Sequence, residues 1–477
     1  MSTPEIGRNR DSEPEPTDGV LSRRYRALTI GIITLVLMVA FEAMAVNTAM
    51  PVATRELDGR ELYAWAFSAF LAASMFGTVL AGDLGDRLGP AKPFLFGLGL
   101  FVVGLVLAGT AGTMLVFIVA RAIQGLGGGA LVVSLLVIAG RAYPQRLLPP
   151  LMAGFSSAWV LPSLIGPVIS GTLAEHVSWR WVFLGLLPLA IPPVLLMLPR
   201  LRGLPDAEPA PRRPGRKRLA LAVAVGVPLL QYAGERLTPG QDPSVLGLLS
   251  LPVGLILLAI SLPRLLPAGT LRFARGIPSV AAMRGLLAGA FMGMNAFVPL
   301  MLNQNHGLSV TLAGAALTVG SLGWSLGSFW QGRSTVRIPR HRLVPIGASF
   351  VTTGVLINLI VVFPAVPFWL IGFGAAIGGV GMGLAMSSLN VLILTQSSDS
   401  EKGANSAAAQ LSDSLGQVVL VGFAGVLHTG LATALGGGLH FVPVFATMAL
   451  VAGTGALLGG RVAGRSLEEP AGAIVRH

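Results

Sequence analysis

The chain has 477 residues, of which 53% are hydrophobic and only 11% are charged. A water-soluble core cannot hide that much apolar surface, so the composition excludes a soluble domain and indicates lipid as the solvent. The formal net charge of +12 would suit a nucleic-acid partner only if the basic residues formed one surface. Cysteine is absent, which excludes disulfides, thiolate metal sites and cysteine nucleophiles.

Residues 1–26 are polar, acidic and proline-bearing, and they lack the apolar stretch of a secretory signal. We expect them to form a disordered cytoplasmic tail. A bilayer-crossing helix needs about 20 mostly apolar residues, and about fourteen stretches meet this requirement. These stretches are Ala27–Met50, Leu62–Ala81, Pro93–Gly112, Thr113–Ala139, Leu151–Ala174, Trp181–Leu198, Leu219–Gly234, Val245–Leu262, Pro278–Leu302, Thr311–Trp330, Leu343–Phe363, Phe368–Leu394, Asn405–His428 and Phe441–Gly460.

The basic residues are concentrated on one side of the predicted membrane. With a cytoplasmic amino terminus, the outer loops contain only Arg55, Arg60, Arg180 and Arg236 of the 33 basic residues. This distribution is the topology signal of membrane proteins, so it predicts cytoplasmic termini and argues against a nucleic-acid surface. Removing the seventh and eighth spans would preserve the alternation, so twelve spans are an alternative.

The two ends of the chain repeat one another. Superposing residue 77 on residue 327 also superposes Gly82 on Gly332, Arg87 on Arg337 and Gly97 on Gly347. Parallel six-helix repeats build a central cavity in alternating-access transporters. We therefore predict an all-α polytopic membrane protein with an N-terminal six-helix bundle, a cytoplasmic linker followed by two inserted helices, a C-terminal six-helix bundle and a second cytoplasmic tail. These units cover residues 27–199, 200–277, 278–464 and 465–477, respectively.

Two acidic residues, Glu42 and Asp413, fall deep inside predicted spans. A charged side chain at the centre of a membrane helix costs about 2.5–3.5 kcal/mol on insertion scales, so it usually faces a cavity, pairs with a base or binds a proton. Asp413 shares a helix face with Gln410 and Gln417, and this stripe predicts either a water-lined surface or an interhelical hydrogen-bond seam.

Only one of these two acids has a basic residue at a matching predicted depth. Arg121 has the same predicted depth as Glu42, so the two could form a structural ion pair or a proton-coupling pair. Arg284 lies near the inner end of its span, where we expect it to extend to the surface. Glu235 is predicted to lie in an outer loop.

Several short motifs occur at defined places in the predicted helices. The connection after the second span contains Gly82, Asp86, Arg87 and Gly89. The first, fourth and fifth spans contain, in turn, Glu42 with Asn47, Arg121 with Gln124, and Gly166 with Pro167 and Gly171. In these motifs the chain resembles the major facilitator superfamily, and specifically its fourteen-helix drug:proton antiporter branch.

The resemblance implies a role for each motif. Asp86 and Arg87, with the two glycines beside them, would form a latch that locks the inner face, and Arg121 would take part in proton coupling. The fifth-helix antiporter motif is only half present, because Ala153, Pro162 and Ser170 stand where glycines are usual. Export and uptake therefore both remain possible, and a metabolite or a lipid could be the exported compound.

No G-x-x-x-x-G-K-[ST] loop is present, so nucleotide hydrolysis by that route is excluded. A membrane-embedded enzyme is a remote alternative, since the six histidines are scattered among loops and tails. We predict a secondary transporter, not an enzyme, that exports small amphipathic compounds, cationic ones among them, against protons by alternating access.

The predicted proton-coupling residues are Glu42, Arg121 and Asp413. The predicted cavity residues are Asn47, Gln124, Trp159, Asn295, Trp324, Gln410 and Gln417. We expect a monomer in a bacterial cell membrane whose partners are its solute, protons and lipid, with no cofactor, metal, nucleotide or nucleic acid.

Overall fold

A computed structural model describes residues 19–201, 215–236, 244–332, 338–398, 401–432, 435–436 and 438–464. These residues form α-helices joined by turns and short 3-10 or π segments, and none of them is in a strand. The helices are α1 (Arg26–Glu56), α2 (Tyr63–Leu88), α3 (Ala91–Gly109), α4 (Met114–Ala142), α5 (Leu148–Ser157), α6 (Val160–Leu173), α7 (Trp181–Leu184), α8 (Leu187–Leu201), α9 (Arg216–Arg236), α10 (Val245–Leu265), α11 (Ile277–His306), α12 (Val310–Gly332), α13 (Arg340–Val361), α14 (Leu370–Gln396), α15 (Lys402–Gly430) and α16 (Phe441–Leu458).

Thirteen helical segments in the described part of the chain are long and apolar enough to cross a bilayer. The helix of the predicted seventh span, α9, is not among them. It has 21 residues, the same length as α10, and packs along that helix. The prediction of a fourteenth crossing therefore depends on α9 alone.

Proline divides two of the predicted spans. The fifth is not one helix, because α5 ends at Ser157 and α6 begins at Val160. The ring of Pro162 would clash with the carbonyl group of residue 158 in a continuous helix, which accounts for the break at this point. In the sixth span α7 ends at Leu184, four residues before Pro188, for the same reason.

The two halves pack alike, as the repeat predicts. Gly77 of α2 lies against the backbone of Leu126 in α4, and the matching Gly327 of α12 lies against Val380 in α14. Gly97 on α3 and its match on α13 make the same kind of close contact with α4 and α14. The matched glycines therefore permit the same backbone approach in both bundles.

The inserted helices form a hairpin that contacts both halves. Helix α9 packs against α10 and also against α2 and α15, which belong to different bundles. Ala72, Val223, Leu258 and Val418 contribute one side chain from each helix to the apolar cluster between them. The hairpin therefore occupies a groove between the bundles.

Polar contacts also fasten α9 to α2. Ser68 Oγ donates to Gln231 Oε1 at 2.6 Å, and Trp65 Nε1 donates to Glu235 Oε1 at 2.6 Å. The prediction of an outer loop for Glu235 is wrong, because it lies in the last turn of α9, half-buried against α2.

Most of both predicted tails and of the linker lies outside the described residues. The described chain begins at residue 19, and Tyr25 is already buried, with its ring stacked on Tyr143 at a centroid distance of 4.9 Å. The described structure therefore begins within the predicted tail.

The contact between α11 and α15 tolerates no side chain at Gly416, because a Cβ there would meet the backbone of Gly285. We expect Gly416→Ala to lower the free energy of unfolding by about 1–3 kcal/mol through overpacking. Thermal unfolding of the purified protein in detergent measures the effect. The control is Gly99→Ala on the exposed face of α3, where a Cβ meets nothing within 4 Å. Equal melting temperatures for the two variants would contradict the close contact.

Candidate functional site

A cavity of about 420 Å³ lies beside the first half of α11, the first half of α15 and the second half of α14. It is lined by Trp159, Arg284, Ala288, Phe291, Met292, Trp324, Met382, Met386, Ser387, Asn390, Gln410, Asp413 and Gln417. Trp159 comes from the N-terminal half, at the break between α5 and α6, and the other residues come from the C-terminal half. The proline-induced break therefore places a ring opposite the C-terminal bundle.

One wall of the cavity is aromatic and sulfur-rich. The rings of Phe291 and Trp324 meet edge to face with centroids 5.5 Å apart. Trp159 is 37% exposed and completes the aromatic set. Three methionines, Met292, Met382 and Met386, add flexible and polarisable surface. This wall suits a flat apolar group.

The cavity lining also contains a bidentate ion pair. Arg284 Nε donates to Asp413 Oδ1 at 2.8 Å, and its Nη2 donates to Asp413 Oδ2. Its Nη1 donates to Asn390 Oδ1, and a longer contact of 3.5 Å joins Nη2 to Gln410 Oε1. The guanidinium thus connects α11 with α14 and α15 through three side chains.

The expectation that Arg284 extends to the membrane surface is wrong. The residue is only 8% exposed, and its side chain turns inward to the carboxylate of Asp413. It lies seven residues from the start of α11, or about 10 Å at 1.5 Å per residue. A buried guanidinium needs an opposite charge, because a buried charge left without its partner costs about 3–5 kcal/mol. The same pairing rule that linked Glu42 with Arg121 could have identified it.

The second ion pair lies in the N-terminal half and is fully enclosed. Arg121 Nη1 donates to Glu42 Oε1 and, at 2.6 Å, to Gln124 Oε1. Its Nε donates to the carbonyl group of Ala66 at 3.3 Å, and its guanidinium lies 4.2 Å from the centre of the Phe70 ring. The structure thus brings Glu42 and Arg121 together, as their equal depth predicts.

This enclosed pair has unused hydrogen-bonding capacity. Within the described part of the chain, Glu42 Oε2 and Gln124 Nε2 are buried and have no hydrogen-bond partner. A buried polar atom without a partner is costly, so its presence suggests a functional requirement. Glu42 Oε2, which does not bond Arg121, is therefore available to accept a proton.

The predicted cavity residues divide into two groups. Trp159, Trp324, Gln410 and Gln417 line the cavity together with Asp413. The remaining ones, Asn47, Gln124 and Asn295, are not among its described lining residues. Asn47 is buried and donates to the carbonyl group of Ala43 in its own helix at 3.2 Å.

Hydrogen bonds join the two halves near the last turns of α1 and α11. Arg55 Nη2 donates to Asn303 Oδ1 at 2.7 Å, and the hydroxyl group of Tyr63 donates to the carbonyl group of Ala296 at 2.7 Å. Thr311 Oγ1 donates to Glu175 Oε2 at 2.6 Å. These contacts lie at the opposite ends of the helices from the cavity, and with the cytoplasmic amino terminus that the basic residues predict the cavity would face the cytoplasm.

The fifth-helix motif lies at the contact between the halves. Gly166 faces Met44 of α1, and Gly171 lies directly against Thr311 of α12. The carbonyl group of Pro167 lies beside Gly314, also on α12. This motif therefore permits α6 to approach a helix of each half.

The predicted latch is only partly described. Arg87 donates to Asp83, one turn earlier, at 3.1 Å, and Lys217 of α9 also pairs with Asp83. The side chain of Asp86 lies outside the described part of the structure. Gly89 has a φ of 74°, a conformation that favours glycine, and Gly82 has open space where a Cβ would be.

Two six-helix bundles around an inner cavity, with an ion pair on its wall, define a membrane carrier. The family model described as Major Facilitator Superfamily matches residues 32–421. The chain belongs to this family.

Curated relatives cover most of the chain at low identity. "Multidrug resistance protein 3" of Bacillus subtilis is 24% identical over 85% of this chain and 80% of its own length. "Multidrug efflux pump SdrM" of Staphylococcus aureus is 24% identical over 77% of this chain and 82% of its own length.

Solved structures share the fold. A D-xylose–proton symporter is 15% identical with a TM-score of 0.64, covering 91% of this chain and 97% of its own. A POT family transporter in complex with a thioalcohol-conjugated peptide is 13% identical with a TM-score of 0.66 and the same coverage of both chains. The family and these neighbours are transporters, and the chain is a multi-pass membrane protein of the same kind.

Removing one member of the enclosed ion pair leaves the other charge buried and without its counter-ion. We expect Glu42→Gln to lower the free energy of unfolding by about 3–5 kcal/mol, and the double variant Glu42→Gln/Arg121→Gln to lose less. Unfolding of the purified proteins in detergent tests this. The control is Arg87→Gln, in an exposed pair worth about 0–1 kcal/mol. A double variant no more stable than the single one would contradict the pairing.

Proposed function

We propose that the chain is a proton-coupled exporter of small amphipathic compounds that works by alternating access in a bacterial cell membrane. The observation that carries the proposal is Asp413, a buried carboxylate that lines the cavity and is held by Arg284. The curated relatives named as multidrug transporters support export. The proposed unit is a monomer that needs only its solute and protons.

Protonation of Asp413 would act directly on helix packing. A neutral carboxyl group no longer attracts the guanidinium, so the bidentate connection between α11 and α15 would weaken. Arg284 would still donate to Asn390 and Gln410, which limits the cost of losing its counter-ion. Proton binding would therefore change the geometry of the cavity wall while leaving the guanidinium partnered.

Glu42 would bind a proton on the outer side of the membrane. Arg121 lies seven residues from the outer end of α4, about 10 Å at 1.5 Å per residue. When Glu42 is neutral, Gln124 and the carbonyl group of Ala66 would continue to accept from Arg121. Arg121 would therefore keep two hydrogen-bond acceptors when Glu42 is protonated, although the loss of its counter-ion would still cost free energy.

The sealed outer contacts and the inner cavity describe one end state of the transport cycle. Solute would enter the cavity from the cytoplasm, the outer contacts would open, and protons would load the carboxylates as the solute leaves. The two end states must differ in their affinities for solute and protons. A ligand shifts a conformational equilibrium only by the difference between its affinities for the two states.

Everted vesicles test the coupling. We expect Glu42→Gln and Asp413→Asn each to reduce proton-gradient-driven accumulation of an amphipathic dye by at least about tenfold, because neither amide can bind a proton. The matched control is Glu61→Gln, an exposed carboxylate in the outer connection after α1. Undiminished accumulation in both variants would refute coupling through these residues, and movement only in the opposite direction would establish uptake.

The outer contacts can be tested by cross-linking, since the chain has no cysteine of its own. A Cβ at Gly314 of α12 would lie 2.9 Å from Thr48 Oγ1 of α1. We expect Thr48→Cys/Gly314→Cys to form a disulfide on oxidation, to lose transport by at least about tenfold, and to regain it on reduction. The two single-cysteine variants serve as controls. Full transport by the cross-linked protein would show that these helices need not separate.

A further inference from the structure

Few of the side chains that line the cavity are charged. Of the described residues that line it, only Arg284 and Asp413 carry a charge, and they are bonded to each other. Arg284 is 8% exposed and Asp413 is 4% exposed. The cavity is therefore neutral overall, and its two charges are both engaged.

Each of the two charges is already compensated by the other, so neither offers an unpaired counter-charge to a charged solute. Both oxygens of Asp413 accept from Arg284. The third nitrogen of the guanidinium, Nη1, donates to Asn390, and Nη2 also contacts Gln410. A charged solute would leave water without gaining an unpaired counter-charge, and that desolvation is expensive. A solute without net charge avoids this cost.

The rest of the wall favours a flat solute with a polar end. Trp159, Trp324 and Phe291 offer ring surfaces, and aromatic pairs gain stability beyond their buried area. Gln417 adds a neutral hydrogen-bonding group to the lining, and so does Ser387, whose hydroxyl group also bonds Ser328 Oγ at 3.1 Å. The volume of about 420 Å³ falls within the range of pockets for drug-sized ligands.

We propose that this cavity selects planar aromatic compounds of zero net charge, and that Arg284 sets the preference by cancelling the charge of Asp413. The inference rests on the proposed function, which makes the cavity the solute site. It departs from the expectation that cations are included among the solutes.

Binding to the purified full-length protein in lipid nanodiscs at pH 7 tests the proposal without any proton gradient. The probes share one ring system and differ in charge: 2-naphthamide, 2-naphthoate and trimethyl(2-naphthylmethyl)ammonium. Equilibrium dialysis gives the three dissociation constants. We expect the amide to bind at least about tenfold more tightly than either ion.

Two substitutions should shift the charge preference in opposite directions. Arg284→Gln leaves an uncompensated carboxylate, so the cation should gain at least about tenfold over the anion. Asp413→Asn leaves an uncompensated guanidinium, so the anion should gain by a similar factor. The double variant Arg284→Gln/Asp413→Asn restores a neutral wall and should again prefer the amide.

Two further variants serve as controls for misfolding and for non-specific effects on the dissociation constants. Asn390→Asp adds a negative charge to the wall while retaining both members of the pair, so it should also favour the cation. Ser349→Ala, on the exposed face of α13, should change none of the three dissociation constants.

The results can separate this inference from the proposed function. A wild-type protein that binds the cation best, binds none of the probes, or keeps one preference in all charge variants would overturn the inference. A charge preference that follows the variants, in a protein that shows no proton-driven dye accumulation in vesicles, would instead overturn the proposed function.

Discussion

A charge inside a membrane must find an opposite charge or a proton, and this constraint governs the arrangement of both halves. The first helix of each half is bound to a later one by an ion pair, α1 to α4 through Glu42 and Arg121, and α11 to α15 through Arg284 and Asp413. Each pair costs desolvation but leaves no charge alone. The residues proposed to bind protons are therefore also the ones that hold the helices together, so a proton that neutralises the acid weakens a structural contact.

The two ion pairs do not occupy equivalent positions in the repeat, although the helices of the two halves pack alike. The repeat superposes Glu42 on Met292, which lines the cavity with an apolar side chain. The N-terminal pair is enclosed among α1, α2 and α4, whereas the C-terminal pair lies on the cavity wall. The two halves thus share a backbone arrangement but have different side chains at equivalent positions. The repeat predicts helix contacts, because matched glycines set them, but it does not predict where the charges lie.

Much of the fold could be predicted from the sequence because bilayer thickness fixes helix length and basic loops fix topology. Within the candidate site, the stripe of Gln410, Asp413 and Gln417 led to the cavity because one face of α15 is polar. Asn295 could not be judged in the same way, since most of α11 is buried and its periodicity does not identify the face that lines the cavity. Distance from the helix end does not predict the position of Arg284, because an acid on another helix lies within its reach. Asn390 carried no sequence signal beyond being polar.

The inserted hairpin imposes a further condition on any movement between the halves. Directional hydrogen bonds attach α9 to α2, through Ser68 with Gln231 and Trp65 with Glu235. Its contacts with α15 include closely packed apolar groups, such as the side chain of Val426 against Gly234. Hydrogen bonds are directional, whereas apolar burial depends mainly on the area removed from water. In alternating access α9 would accordingly move with the N-terminal half, and the sliding surface would be α15, the helix that carries Asp413.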